Sequence, residues 1–185
     1  RFDPGHHGES KMVTFGVKTG PKSTLRLMEF GTGESNAGML LNERKDIFNG
    51  FAFLHDFAIT PNWAIFLQNA ISFNPLPFII GKRGAAQCLS SNKKEKAKFW
   101  LIPRDSGKFS GQEPLIFDAP DGFVFHHLNA YEQGETINIE SIFYKDFPSI
   151  EPDQDFRQIN FDDLPEGILK RCSINLKENL VQTKI

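Results

Sequence analysis

The sequence predicts an all-β fold built from antiparallel strands, and three observations predict it. Apolar and polar residues alternate over short runs with period 2. Turn-forming residues such as Gly20-Pro21, Pro61-Asn62 and Asp121-Gly122 punctuate the chain between those runs. Helical signals are scarce. Only Asp162–Lys170 reads as one or two helical turns, with Pro165 in the first turn, where its missing N–H does no harm.

The elements follow in order. Met12–Lys18 reads as a strand, Thr19–Lys22 as a turn and Thr24–Phe30 as the partner strand, with Leu25, Leu27 and Glu29 on one face. Gly31–Gly33 breaks that run. Phe51–Thr60 and Trp63–Asn69 are the next two strands, joined by a tight hairpin at Pro61-Asn62. Ile71–Ser91 is irregular, and Asn74–Pro77 with Gly81–Gly84 mark a long covering connection. Ala97–Pro103 resumes as a strand and Arg104–Gln112 is a Gly/Ser-rich loop. Pro114–Asp118, Phe123–Tyr131 and Thr136–Tyr144 are strands separated by turns at Ala119–Gly122 and Gln133–Glu135. Asp155–Asn160 and Cys172–Leu176 complete the set. Such a series leaves sandwich, barrel and propeller open. No WD or kelch signature repeats. A four-stranded blade takes about 40–50 residues, so as a propeller the chain would make roughly four blades, too few to close a typical ring. Residues 1–185 form one domain with no second domain.

Composition narrows the function classes. Hydrophobic content of 39% and charged content of 24% fit a soluble globular chain. Phenylalanine reaches 19 residues against 2 Tyr and 2 Trp, which implies a Phe-rich core or a Phe-lined tunnel for a long apolar ligand. The net charge of -2 and the lack of a basic face argue against nucleic acid. Lys93–Lys98 reads as a solvated hairpin loop, with contact to an anionic membrane as its alternative. Cys88 and Cys172 lack the spacing of a zinc site or a disulfide framework and read as reduced thiols of a cytoplasmic protein. No apolar run reaches the ~18 residues of a spanning helix. Arg1 is not an initiator Met, so the chain is expected to be an internal fragment, and a lost leader would leave no trace.

Two histidine runs carry the chemistry. His55 lies in Phe53-Leu54-His55-Asp56-Phe57, where strand alternation would put Phe53, His55 and Phe57 on one buried face and Asp56 on the other. A second run, Phe123-Val124-Phe125-His126-His127-Leu128, would place His126 and His127 on opposite faces. Alternation does not say which of the two faces a metal. Neutral imidazole is the commonest protein metal ligand, so histidines on separate strands can converge on one ion. The alternative is a core histidine satisfied by a backbone carbonyl. Asn129 and Glu132 are close enough in sequence to support a ligand. His6-His7, among turn residues, reads as an exposed loop.

These runs resemble a known family. Arg1-Phe2-Asp3-Pro4, Gly8-Glu9 and Thr14-Phe15-Gly16 are similar to a segment of the carotenoid cleavage oxygenases that follows their first ligand histidine. His55-Asp56-Phe57-Ala58-Ile59-Thr60 resembles their second histidine motif, and Phe125-His126-His127-Leu128-Asn129-Ala130-Tyr131-Glu132 their third. Gly81–Gly84 with Ile102–Asp105 looks like the bacterial apocarotenoid members. The resemblance implies part of a seven-bladed β-propeller whose axis holds non-haem Fe(II) through four histidines. It makes His55 the second ligand and His126 the third, with His127 a neighbour. It places the first ligand just ahead of Arg1, the fourth past Ile185, and the orienting glutamates outside the matched segments, so that Glu132 is not one of them. It implies a dioxygenase that splits a double bond of an apolar carotenoid or apocarotenoid with dioxygen into carbonyl products, in contact with a membrane at most peripherally. An isomerohydrolase of the same family and a non-catalytic module that binds a polyene are the alternatives. A zinc hydrolase is disfavoured because neither run has the His-Glu-x-x-His pattern. The isolated chain, with half a metal site and open sheet edges, is expected to be inactive and marginally folded.

Overall fold

A computed structural model describes residues 1–6, 8–148, 160, 162 and 164–185. The chain begins with an antiparallel meander: β1 (Phe2–Asp3), β2 (Lys11–Lys18), β3 (Thr24–Gly31) and β4 (Leu40–Ile47). A second sheet starts with β5 (Ala58–Ile59) and β6 (Trp63–Gln68). The chain then leaves it for a hairpin of β7 (Ile71–Phe73) and β8 (Leu89–Ser91), which brackets the short helix α1 (Leu76–Ile79) and a 3₁₀ turn at Ala86–Cys88. It returns as β9 (Lys98–Pro103), which pairs with β6, and β10 (Leu115–Asp118). The third sheet is the meander β11 (Phe123–Gln133), β12 (Thr136–Tyr144), β13 (Ile168–Asn175) and β14 (Leu180–Lys184). Three successive four-stranded antiparallel sheets, each a meander in chain order, have the construction of propeller blades. The protein is all-β and forms part of a β-propeller.

Packing explains the hydrophobic runs. The Trp63–Leu67 stretch of β6 is buried residue by residue, unlike a strand with one wet face. Trp63, Ile65 and Leu67, with Phe99 and Leu101 of β9, pack against Val124, Ile137, Ile139 and Cys172 of the third sheet. Ala64, Phe66, Trp100 and Ile102 point the other way, onto Val13, Leu25 and Leu27 of the first. The middle sheet therefore serves two cores. In β3 the predicted face of Leu25, Leu27 and Glu29 is buried. Glu29 is tolerated there because the fully buried Arg104 donates to its Oε1 at 2.7 Å, to Asp3 Oδ2 at 2.6 Å and to the Thr60 carbonyl at 2.9 Å. Cys88 and Cys172 are free and buried.

Several expectations change. Of Phe51–Thr60, only Ala58–Ile59 is strand. The preceding backbone is satisfied by side chains instead of a ladder: Gln68 donates to the Asn49 and Phe51 carbonyls, Ser23 Oγ accepts from Ala52 N–H, and Arg1 Nε donates to the Phe57 carbonyl. Of the helical turns expected over Asp162–Lys170, Ile168–Lys170 instead open β13 and pair with Phe143, Ile142 and Ser141 of β12, and residue 163 lies outside the described residues. β4 and β14 are additional strands. The connection Ile71–Ser91 contains a hairpin and a short helix. Residues 155–159 of one expected strand lie outside the described residues.

Candidate metal centre

His55 lies in the extended stretch that enters β5, and His126 lies in β11. These elements belong to different sheets, so the pair sits at the seam between the second and third. β11 slips against β12 by one residue between Val124 and His127, and again between His127 and Asn129. Such bulges re-aim side chains. Phe123 and Val124 are both buried, against strict alternation, whereas His126 is exposed and His127 buried, as adjacent strand positions are expected to be.

The two histidine rings converge. Their centroids are 5.0 Å apart with planes at 79°. His55 does not occupy the buried strand face that alternation predicts. His55 is exposed, and the His126 side chain is 59% exposed. Among the described residues no nitrogen of either ring takes a hydrogen bond, and Asp56 Oδ2 lies 3.9 Å from His126 Nδ1.

His127 is committed elsewhere. Its ring is buried and its Nδ1 lies 2.7 Å from Ser141 Oγ of β12. Burial, offset in part by Asp56, pushes this imidazole down to about 4, so it stays neutral and internal at neutral pH. Adjacent positions of β11 thus divide the two histidines into one that presents its ring and one that anchors the strand.

An aromatic wall flanks the pair. Phe125 meets His55 edge-on at 5.3 Å. Phe123 contacts Phe125 at 4.5 Å and Phe147 at 5.1 Å, and Phe53 closes the group at 6.4 Å from Phe123. Phe53, Phe125 and Phe147 are half-buried, whereas Phe48, Phe66, Phe99 and Phe143 belong to the cores. The phenylalanine excess therefore divides between packing and a surface beside the histidines.

Other expected residues fall elsewhere. Both Glu132 carboxylate oxygens accept from Asn62, at its backbone N–H (2.9 Å) and its Nδ2 (2.7 Å), so Glu132 pins the β5–β6 turn rather than a ligand. Asn129 is exposed. His6 lies in a loop and its Nδ1 is 2.9 Å from Asp3 Oδ1, while His7 lies outside the described residues. Sequence reasoning passed over Asp56 because alternation turned it away from His55. Its Oδ2 accepts from Arg1 Nη2 (2.6 Å) and from the His127 N–H (3.0 Å). Its only sequence signal was adjacency to His55.

As a donor set, two exposed, unengaged imidazoles suit a borderline divalent ion such as Fe(II). Among the described residues no group of three or more His, Cys, Asp or Glu side chains converges.

A blade-built all-β fold with two histidines at a sheet seam, beside an aromatic wall, defines a class. The chain belongs to the retinal pigment epithelial membrane protein family, whose model matches residues 2–184. Among its relatives, apocarotenoid-15,15'-oxygenase of Synechocystis sp. is 42% identical over 178 residues, covering 95% of this chain and 34% of the relative. A carotenoid 9,10(9',10')-cleavage dioxygenase of Crocus sativus is 30% identical over 130 residues, covering 69% of this chain and 21% of that one. The crystal structure of cobalt-substituted Synechocystis ACO matches with a TM-score of 0.86 at 41% identity, over 96% of this chain and 35% of that chain. The chain thus spans about a third of the length of the Synechocystis enzyme.

Proposed function

We propose that the full-length protein is a non-haem Fe(II) dioxygenase that cleaves a carbon–carbon double bond of a carotenoid or apocarotenoid with dioxygen, giving two carbonyl products. The observation that carries this is the convergence of the His55 and His126 rings, 5.0 Å apart, in a chain of this family. His55 and His126 would hold the iron, and the burial of His127 against Ser141 argues that it would not. Iron, when bound, supplies the dioxygen chemistry. Imidazole donors bring no charge of their own and so leave that of the ion undiminished. Phe53, Phe125 and Phe147, packed on the buried Phe123, offer an apolar face along which a polyene can lie, and they exclude water from its reacting bond.

The test uses the full-length protein reconstituted with Fe(II) without oxygen. His55→Ala and His126→Ala should each lose most bound iron and lower apocarotenal cleavage at least a hundredfold. His127→Ala should keep its iron and instead lose about 1–3 kcal/mol of stability, because Ser141 is left unpaired in the interior. A wild-type protein without iron would favour a non-catalytic polyene carrier and end this proposal.

The same reading includes peripheral contact with a membrane, the source of an apolar substrate. Leu76, Phe78, Ile79 and Ile80, on and just after α1, are all more than half exposed, next to exposed Lys82 and Arg83. Apolar side chains rimmed by basic ones suit an anionic bilayer surface. No helix among the described residues is long and apolar enough to cross one. Full-length protein should float with vesicles of phosphatidylcholine and phosphatidylglycerol, and Phe78→Ser with Ile79→Ser should cut the bound fraction several-fold. Equal binding by the double variant would exclude this segment as the contact.

A further inference from the structure

We propose that Asp56, gripped by Arg1, is the positioning residue of the metal centre: it locks together the two backbone segments that carry His55 and His126. The inference rests on the assignment of those two histidines as ligands, and concerns a residue that would touch neither the metal nor the substrate.

Strand pairing does not hold the two histidines in register. His55 enters the second sheet and His126 belongs to the third, and among the described residues no strand ladder joins those sheets. His55 also lies in a stretch without strand pairing. A ligand on such backbone keeps its place only if side chains fix it. Asp56 directly follows His55, and its Oδ2 accepts the N–H of His127, which directly follows His126. One carboxylate oxygen thus connects the residues adjacent to both ligands, across 71 positions of sequence.

Arg1 completes the clasp. Its Nη2 donates to Asp56 Oδ2 at 2.6 Å and to the His127 carbonyl at 2.8 Å, and its Nε donates to the Phe57 carbonyl at 2.8 Å. The rigid guanidinium fork therefore binds both sides of the seam at once, which a lysine could not do with the same geometry. The backbone of His127 is paired with Ser141 in the β11–β12 ladder, which fixes the far end of the clasp in the third sheet. Asp56 Oδ2 lies 3.9 Å from His126 Nδ1, beyond a hydrogen bond, so its hold on His126 runs through the backbone. Groups that orient ligands from outside the coordination sphere commonly change metal affinity by about 10–100-fold when removed.

The experiment uses the full-length apoprotein and Co(II) as probe, titrated without oxygen and followed by its visible absorption, with thermal unfolding of the metal-free protein in parallel. Asp56→Ala should weaken Co(II) binding at least about tenfold and alter the absorption band. Asp56→Asn keeps an oxygen for the His127 N–H but loses the charge facing Arg1, and should fall between wild type and the alanine variant. A purely structural role would lower the unfolding temperature while leaving the affinity and band of the folded protein unchanged. The proposal is overturned if folded Asp56→Ala binds Co(II) within twofold of wild type with the same band. Where the alanine variant does not fold, the asparagine variant decides by the same criterion. Failure of the wild-type protein to bind Co(II) would instead overturn the ligand assignment.

Discussion

Arg104 shows what a single buried charge does in this chain. It is fully buried and joins Asp3 of β1, Glu29 of β3 and the end of β5, while Glu29 Oε2 also takes Asn42 Nδ2 at 3.0 Å and Lys11 Nζ at 3.3 Å. Burial opposes the charge on both carboxylates. For Asp3 this is outweighed by the N–H groups of Gly5 and His6, the His6 ring and Arg104, which hold its carboxyl well below the usual range. For Glu29 it is outweighed by Arg104, Asn42 and Lys11. The sign of the pH dependence follows. Unfolded carboxyls titrate near ~4, the folded ones lower, so in acid the unfolded chain binds more protons. This contribution is fully present above about pH 5 and drains away as pH falls below ~4 toward the folded values. The urea midpoint of the full-length protein should therefore drop steeply in that window. Asp3→Asn should flatten the drop and cost about 3–5 kcal/mol at pH 7, because it leaves Arg104 buried and short of a partner. A variant that follows the wild-type slope would show that the acid sensitivity arises elsewhere.

Among the elements, β11 joins structure to site most directly. Three side chains from the second-sheet region staple it along its length: Asn69 bonds both the N–H and the carbonyl of Val124 at 2.9 Å, Asp56 takes the His127 N–H, and Asn62 donates to Glu132. None of these pairings is legible in the sequence, because each joins residues 55 to 71 positions apart. Strands with one buried face were legible. β3 shows its Leu25, Leu27 and Glu29 face through simple alternation, because packing imposes period 2. β4 was not, since only Asp46 in it is buried and no apolar pattern is needed to keep it in the sheet. Phe51–Phe57 failed in the opposite way. Its aromatic spacing imitates a strand, but side chains of Gln68, Ser23 and Arg1 take the backbone bonds a ladder would use. The histidine pair was legible from its motifs. The exposure of the His55 ring was not, because it follows from an unpaired stretch before β5, and alternation left open which of His126 and His127 is exposed.

At the scale of the whole molecule, the middle sheet faces a separate core on each side, and this makes a prediction about cooperativity. Leu25 lies in the core between the first and second sheets, Ile139 in the core between the second and third, and both are fully buried. Leu25→Ala and Ile139→Ala should each cost about 2–5 kcal/mol by loss of contact and creation of a cavity. The two residues share no packing partner, since odd and even positions of β6 and β9 point into different cores. The double variant should therefore lose the sum of the single losses to within about 0.5 kcal/mol, measured by urea denaturation of the full-length protein. Ile65 and Ile139 occupy the same core, so the Ile65→Ala and Ile139→Ala pair should depart from additivity as one cavity merges with the other. Strong coupling between Leu25 and Ile139 would mean that the sheets fold as one undivided core. Additivity would instead make each seam its own unit of stability, with the His55–His126 pair belonging to the second.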